Sequence, residues 1–404
     1  YFRPGQIQAA APSLAEGQLV NFNDVPRDII ALNQNPDRRV TPALAAGATP
    51  GSVDVDLNVK DAFPLHASVE LNNRRSANTT ALRVNATVSD NNLFQRGDTA
   101  GLSFQTAPER SSDAKVLSAY YLTRTPGGTT FMLQGTKQDS DVSTLGGVAV
   151  AGRGESVGAR AIFRLPASKS IYQSASLGFD YKQYDQTLNV AGSKLVAPVT
   201  YFPITAGYSA TLVTEHAVSE AGANVTLHVR GLGSSPAAFD ARRYKADGSF
   251  IYLRVDASQT RTLPHDWKLV GRAQAQLASG ALLDSEQFSG GGLGTVRGYL
   301  ESEAVGDNAV TGSLELQTPS LAPLIGTKVN EWRFYAFTDG AVLTLFDPLP
   351  QQKAHFYLAS FGVGTRLRFD EHFNGSLDAG LPQYEQIETK PNDLHLTFRL
   401  WAEF

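Results

Sequence analysis

Hydrophobic and polar residues alternate along most of the chain after about residue 65, in segments separated by short polar stretches. In TALRVNATVSD (80–90) an aliphatic residue occupies every second position from Leu82, and WKLVGRAQAQLA (267–278) and LHLTFRLWAEF (394–404) repeat the pattern. A period of two residues indicates β-strands with one oily and one polar face. Strands of about 9 to 11 residues with this alternation are typical of proteins that cross a membrane as a β-barrel.

A soluble β-sandwich would alternate in the same way, but two features favour the barrel. The polar faces carry Arg, Lys, Gln and Asp on strand after strand, as a water-filled lumen requires. Several segments end in aromatic residues, as an interfacial girdle requires: Tyr120, Tyr121, Tyr181, Tyr184, Tyr201, Phe202 and Trp401. With about 340 residues after Asp61 and roughly 21 residues per strand and loop, we predict about 16 antiparallel strands, an even number.

The first 61 residues have a different pattern. VPRDIIALNQNP (25–36) predicts a short helix, GATPG (47–51) a turn and SVDVDLNVKD (52–61) a strand. We therefore predict a small α+β domain at residues 1–61, incomplete at its N-terminus, and a barrel domain at residues 62–404. The predicted fold class is a membrane all-β protein with a partial α+β domain in front of the barrel.

Composition excludes several classes of function. The 404 residues include 35 Lys and Arg against 39 Asp and Glu, a formal net charge of −4, so nothing favours nucleic acid as a partner. There is no cysteine, so no thiol nucleophile is possible, and the seven histidines lack metal-ligand spacing. We expect neither an enzyme nor a bound metal or cofactor.

The most unusual stretch is SGGGLGTVRGYLESE (289–303), which has four glycines within six residues and then a single arginine. A phosphate-binding loop would need a buried strand before it and a helix after it. Here the following residues lead into another alternating strand, which argues against a nucleotide site. The glycines are predicted to allow positive φ and slack, so that the loop can pass close to a wall.

Three segments together resemble the TpsB transporters of the ShlB/FhaC/HecB type, within the BamA-like outer-membrane superfamily. LNQNPDRRV (32–40) with LAAGATPGSVDVDLNV (44–59) resembles the end of the second POTRA domain of that family. LNNRRSANTTALRVNATVSDNNLFQRGD (71–98) resembles its first barrel hairpin. LASGALLDSEQFSGGGLGTVRGYLESEAVGD (277–307) is similar to the VRGY segment, its most characteristic part.

The resemblance implies a loop that folds into the lumen and carries the VRGY motif at its tip. Its members here are Val296, Arg297, Gly298 and Tyr299. The arginine of the family pairs with the aspartate of an F-x-D-x-G motif on the inner wall, which is matched here by Phe337, Asp339 and Gly340. The final glycine of that motif is Ala341 in this chain. An arginine cannot shed its charge in a narrow lumen, and its planar fork suits a carboxylate.

The last strand carries a second signal of the same kind. Its outward residues include Leu400, Ala402 and Phe404, and Phe404 ends the given sequence. This pattern is similar to the C-terminal signal by which the outer-membrane assembly machinery recognises its clients.

The family implies a protein-secretion pore of two-partner secretion in the Gram-negative outer membrane, with the POTRA domain in the periplasm. It would pass an unfolded TpsA-like exoprotein through the barrel without ATP, as a monomer in contact with lipid and lipopolysaccharide. Capture by strand addition would use the predicted strand at residues 52–60, with the client-facing side chains Val53, Val55, Leu57 and Val59. The alternatives are an assembly factor of the BamA or TamA kind and, less favoured, a passive porin.

Overall fold

The computed structural model describes residues 1–17, 24–47, 52–125, 128–145, 148–168, 170–190 and 193–404. Most of the predicted GATPG turn (47–51) lies outside the described residues. No helix within the described ranges combines the length and the hydrophobicity that a bilayer crossing needs.

Sixteen antiparallel strands close into a barrel in the part of the chain that is described. The strands are β3 (Leu65–Asn72), β4 (Arg83–Leu93), β5 (Asp98–Thr106), β6 (Lys115–Arg124), β7 (Thr129–Leu145), β8 (Val148–Ser168), β9 (Ile171–Val190), β10 (Ser193–Tyr201) continued by β11 (Ile204–Val213), β12 (Ala217–His228), β13 (Phe250–Thr262), β14 (Lys268–Ala278), β17 (Asn308–Gln317), β18 (Val329–Thr344), β19 (His355–Phe369), β20 (Phe373–Pro382) and β21 (His395–Glu403). β10 and β11 count as one strand, because both pair with β9 and only Phe202 and Pro203 separate them. The prediction of an antiparallel barrel of about 16 strands is confirmed.

The alternation seen in the sequence becomes an apolar outside and a polar inside. On β18 every second residue from Arg333 to Leu343 is buried, and residues between them, such as Phe334 and Val342, are exposed on the outer face. Exposed aliphatic side chains of the same kind cover the outer face of other strands, among them Leu102, Leu133, Leu177, Val310 and Val363. The outer face therefore suits lipid and the inner face suits water.

The barrel closes between its first and last strands. Five residue pairs join β21 to β3, from Arg399 opposite Asn72 to Glu403 opposite Ser68. On the inner side the guanidinium of Arg399 donates to both carboxylate oxygens of Glu70, at 3.0 and 2.7 Å. The seam between β21 and β3 is short, and this bidentate ion pair strengthens it.

The two ends of the barrel differ. At one end, called the turn end, short turns join the strands, for example residues 94–97, 214–216 and 370–372. At the other end, called the loop end, the connections at 73–82, 229–249, 279–307, 345–354 and 383–394 are longer; α3 (Pro236–Arg242) lies in the second of them. The helix α4 (Ala322–Ile325) lies at the turn end, before β18.

The described residues of the N-terminal segment, 1–17, 24–47 and 52–61, form helices and a two-stranded sheet beside the turn end. The elements are α1 (Pro4–Ala9), α2 (Val25–Leu32), β1 (Arg38–Ala46) and β2 (Val53–Asp61). Leu32 and Val40 are buried with Phe2 and Ile7 in a small apolar cluster. The predicted helix at residues 25–36 ends at Leu32, and Asn33 terminates it by exchanging side-chain hydrogen bonds with the backbone of Val40.

Polar contacts fasten this N-terminal segment to the first hairpin of the barrel. The carboxylate of Asp37 lies 2.8 Å from Nε2 of His66 at the start of β3, and it accepts from the amide of Asn91 at 2.8 Å. Gln6 donates to the side-chain oxygen of Asn92 at 2.8 Å. The segment NNLFQRGD (91–98) therefore serves as its docking turn.

Candidate functional site

The 29-residue connection between β14 and β17, residues 279–307, folds back into the barrel; we call it the inner loop. Two short strands, β15 (Phe288–Gly290) and β16 (Ala304–Gly306), pair within it and form its stem. Its tip, residues 296–300, is buried against the inner wall. The structure thus brings the VRGY residues to the lumen face of the barrel strands.

The geometry around Arg297 joins it to Asp339 on β18. Nε donates to Oδ2 at 2.8 Å, Nη2 donates to Oδ1 at 2.9 Å, and the backbone N–H of Arg297 donates to Oδ2 at 3.0 Å. Both side chains are at least 95% buried. This is the two-pronged arrangement that suits a guanidinium and a carboxylate.

Three further groups lie close to the guanidinium of Arg297, and none of them was predicted from the sequence. Nη1 of Arg297 donates to Glu315, Nη2 donates to the hydroxyl of Ser313 at 3.2 Å, and Asp378 lies 3.7 Å from Nη1. Arg366 completes the network with ion pairs to both oxygens of Glu315, at 3.0 and 3.1 Å. Two arginines therefore face three carboxylates, on β17, β18, β19, β20 and the inner loop.

An aromatic ring covers the guanidinium from one side. The central carbon of Arg297 lies 3.6 Å from the ring centre of Phe337, a close cation–π contact. Burial alone would lower the pKa of Arg297, but the hydrogen bonds to Asp339 and Glu315 outweigh it and raise the pKa above its ordinary value. The cation therefore stays charged at every physiological pH.

The flanking residues of the tip pack into the wall. Val296 and Tyr299 are fully buried in an apolar cluster with Leu343 and Leu358. The hydroxyl of Tyr299 lies 3.1 Å from the carbonyl of Ala359 and accepts from the N–H of Tyr384 at 3.0 Å. The tip is thus held by apolar burial as well as by charge.

Gly298 lies directly against another glycine. Its φ of 86° falls in the left-handed region, and a Cβ there would lie 3.2 Å from the carbonyl carbon of Gly380 on β20. A Cβ at Gly380 would lie 2.8 Å from both the N and the Cα of Gly298. Two glycines facing each other let the backbones approach more closely than any other residue pair would allow.

The departure from the wall motif now has a structural account. Gly340 lies on the outer face of β18, and a Cβ there would meet its nearest atom, a backbone oxygen of Leu358, only at 3.8 Å. Ala341 lies on the lumen face and is buried in the apolar cluster that holds Val296 and Tyr299. The methyl group of Ala341 therefore fills space within this apolar cluster.

The facing glycines give a test with a matched control. Replacing Gly380 with alanine is expected to push the tip off the wall, because the nearest atoms are backbone and cannot rotate away; a destabilisation of about 1 to 3 kcal/mol is expected. Replacing Gly340 with alanine should change little, since that site is open. Thermal unfolding in detergent measures both, and equal midpoints for the two variants would contradict the close-approach argument.

Further carboxylates tie the inner loop to neighbouring loops. Glu301 accepts from Nε of Arg74 at 2.7 Å, and Glu303 accepts from the backbone N–H of Thr389 at 2.9 Å. Asp307, at the base of the loop, is fully buried and accepts from the N–H of Phe346 at 2.7 Å. These contacts hold the second arm of the inner loop, residues 301–307, against its neighbours.

The other predicted site residues lie away from this network. Phe404 is exposed at the turn end, with its ring stacked on His372 at 5.4 Å, while Leu400 faces outward and Ala402 pairs with Val69. Of the four predicted client-contacting side chains, Leu57 and Val59 pack against the apolar cluster of the N-terminal segment. Val53 is exposed and Val55 is half-buried.

Solved structures with the same fold include two CdiB proteins and a BamA. CdiB from Escherichia coli is 20% identical, with a TM-score of 0.77 over 99% of this chain and 74% of that chain. CdiB from Acinetobacter baumannii is 15% identical, with a TM-score of 0.72 over 100% of this chain and 72% of that chain. BamA from Haemophilus ducreyi lacking POTRA domains 1–3 is 15% identical, with a TM-score of 0.63 over 100% and 82%. At these identities the likeness concerns the fold.

Sequence comparison is decisive for the family. None of the curated proteins compared with the chain is similar enough in sequence to count as a match. The family described as haemolysin secretion/activation protein ShlB/FhaC/HecB matches residues 51–367, well over half of the chain. The resemblance carried by the VRGY and hairpin segments is thereby confirmed. The chain belongs to the ShlB/FhaC/HecB family, which comprises outer-membrane β-barrel transporters of two-partner secretion.

Proposed function

We propose that this protein secretes a partner exoprotein across the outer membrane, as an unfolded chain that passes through the barrel lumen without ATP. The observation that carries the proposal is a closed, polar-lined barrel whose inner loop is anchored by buried ion pairs, in a chain of this family. A polar lumen offers an extended polypeptide hydrogen bonds at each step. The partner is a large exoprotein of the haemolysin, haemagglutinin or adhesin type.

Two other functions receive less support. An assembly factor of the BamA or TamA kind shares the barrel, but the TM-score with BamA, 0.63, is below that with CdiB, 0.77. A passive porin would need neither a buried ion-pair latch nor an N-terminal segment docked on its turn end. No catalytic step, metal or cofactor forms part of the proposed mechanism.

The N-terminal segment is proposed to belong to a POTRA domain in the periplasm. It lies at the turn end, and short turns are periplasmic in bacterial barrels, so the long loops would face the outside. β2 pairs with β1 on one side, and its other edge is the proposed place where a client strand is added. Because Leu57 and Val59 pack inward, the backbone of β2 would give the affinity and Val53 and Val55 the side-chain contacts.

Arg297 and Asp339 are proposed to act as the latch of the inner loop, with Val296, Gly298, Tyr299 and Phe337 as its packing. The latch would keep the loop against β17–β20 and leave the opposite wall of the lumen to the client. Leu400, Ala402 and Phe404 are proposed as the signal read by the barrel assembly machinery. The mature protein would then work as a monomer among lipid and lipopolysaccharide.

The proposal is tested by reconstituting export with the natural partner. The gene beside that of a two-partner transporter is the first candidate for the exoprotein, and its product is expected to be large and rich in β-structure. Cells that express both should release the exoprotein into the medium, and cells that express the exoprotein with a porin should retain it. Equal release in the two strains would disprove the proposal.

A further inference from the structure

A second buried ion pair holds the inner loop on the side opposite Arg297. Glu286, just before the stem, is 1% exposed and accepts from Nζ of Lys182 on β9 at 2.6 Å. The hydroxyl groups of Tyr201 on β10 and Tyr252 on β13 donate to it, each at 2.6 Å. The carboxylate of Glu286 thus links the inner loop to three strands of the barrel. Neither the VRGY motif nor its wall partner takes part in these contacts.

The charge state of this cluster is fixed. Burial opposes the ionised form of Glu286, but the ammonium group of Lys182 and the two tyrosine hydroxyls hold its pKa below its usual range. A buried charge with its partner removed is strongly unfavourable. Charge and hydrogen bonds therefore both hold the cluster together.

The anchors at Arg297 and Glu286 differ in the space around them. The void beside Arg297 and Asp339 measures about 10 Å³, which is barely room for one water molecule. Beside Glu286, Lys182 and Tyr252 lies a cavity of about 580 Å³, which continues along the stem to Thr295. The stem has room to move on its own side, whereas the tip has none.

The backbone between the anchors separates them mechanically. Gly291 and Gly292 have φ values of 106° and 83°, and both lie after Glu286 and before Arg297. A change of stem position can therefore be taken up by these glycines without dislodging the tip.

We propose that the Glu286 clamp, with Lys182, Tyr201 and Tyr252, is the contact that keeps the lumen closed beside the inner loop. Its release would open the lumen toward the wall formed by β7–β9 while Arg297 stays docked. The inference rests on the proposed export through the lumen, because it names the regulation of that path. The clamp residues are positioning residues, acting through the loop.

The test is ion conductance of the purified full chain in planar lipid bilayers. Glu286→Gln and Lys182→Met should each raise the mean conductance by on the order of tenfold, because the closed population loses a buried ionic contact. Glu385→Gln, on the exposed surface of another loop, is the matched control and should leave conductance unchanged. Heat-modifiable migration on a gel establishes that each variant is a folded barrel.

A milder variant covers the case in which the charge variants do not fold. Tyr252→Phe removes one hydroxyl and should raise the conductance by about threefold, the effect of one weakened hydrogen bond. Folded variants whose conductance equals or falls below that of the unmodified chain would overturn the proposal.

Because the chain contains no cysteine, introduced pairs can be cross-linked selectively. A short bis-thiosulfonate reagent that joins Lys182→Cys to Glu286→Cys through two reducible disulfides should hold conductance at the resting level, and reduction should raise it; no rise on reduction would overturn the clamp. Joining Thr295→Cys to Ser313→Cys should leave the rise caused by Glu286→Gln intact, and loss of that rise would overturn the fixed tip. Conductance needs no client, so the clamp can stand even where export of the exoprotein fails.

Discussion

Replacing Arg297 with alanine is expected to weaken the docking of the inner loop by about 3 to 5 kcal/mol, the usual effect of removing one partner of a buried ion pair. The three carboxylates that surround it, Glu315, Asp339 and Asp378, would retain only Arg366 as a counter-charge. The loop should leave the wall for part of the time, and secretion of the partner should fall by at least about tenfold, because an undocked loop occupies the path.

Protease cleavage of the inner loop in whole cells measures the docking directly. Residues 279–307 should be resistant in the unmodified protein and cleaved at least roughly a hundredfold faster in Arg297→Ala, since local opening sets the rate. Arg230→Ala is the matched control, because Arg230 pairs with Asp247 on the exposed loop surface and surface pairs contribute little. Equal cleavage rates in the unmodified protein and Arg297→Ala would show that the ion pair does not hold the loop.

Exchange of the two charges gives a finer version of the same test. The double variant Arg297→Glu with Asp339→Arg would restore a simple two-residue latch completely. In this structure Glu315 and Asp378 would then face a glutamate at position 297, so only partial recovery of secretion is expected. Full recovery would indicate that the network adds nothing to the pair.

The barrel could be predicted because its physical cause is local in sequence. A strand between lipid and water must alternate, and segments such as 267–278 show the alternation without reference to their neighbours. The strand number followed from length alone. The junction of β10 and β11 escaped prediction, because the two segments become one strand only through their shared partner β9.

Only the Arg297–Asp339 pair of the ionic network was predicted from the sequence. The other partners could not be predicted, because residues distant in sequence come together there. Glu315 and Asp378 stand on the polar faces of their strands like many other residues, and no local feature distinguishes them. Only strand register brings them to Arg297, with Ser313 opposite Asp339 and Asp378 opposite Gly364. The available signal was a carboxylate at an inward position of a strand, which reduces the number of candidate partners without identifying them.

The glycines before Arg297 also have a different role from the one predicted for them. They were predicted to allow positive φ and slack, and Gly291 and Gly292 do have positive φ. A Cβ at Gly291 would collide with the carbonyl oxygen of Leu300, and one at Gly292 with the carboxylate of Glu301. In the docked loop Gly291 and Gly292 therefore allow the two arms of the loop to pack closely. Their conformational freedom matters only when the stem moves.

Deleting residues 1–61 is expected to abolish export while leaving a folded barrel. The barrel closes through β3 and β21 without any strand from this segment, and contacts to it are mainly polar, such as Asp37 with His66 and Gln6 with Asn92. Once the segment is removed, the barrel partners His66 and Asn92 can be solvated, so the loss of these contacts destabilises the barrel little. Export should disappear because the free edge of β2, where the client is proposed to add a strand, is removed.

Heat-modifiable migration and release of the exoprotein into the medium separate the two effects. A folded barrel that exports normally would remove the capture role from this segment, and an unfolded one would show that docking on residues 91–98 stabilises the barrel. Asn58→Cys in the full chain provides the local control, because position 58 lies on β2 and no other cysteine is present. A photoreactive thiol reagent there should cross-link to the client during export, whereas the same reagent at exposed Glu385→Cys at the loop end should not. If strand addition is the capture mode, moving the probe along β2 must give cross-links at successive client positions, because a paired strand has one fixed register.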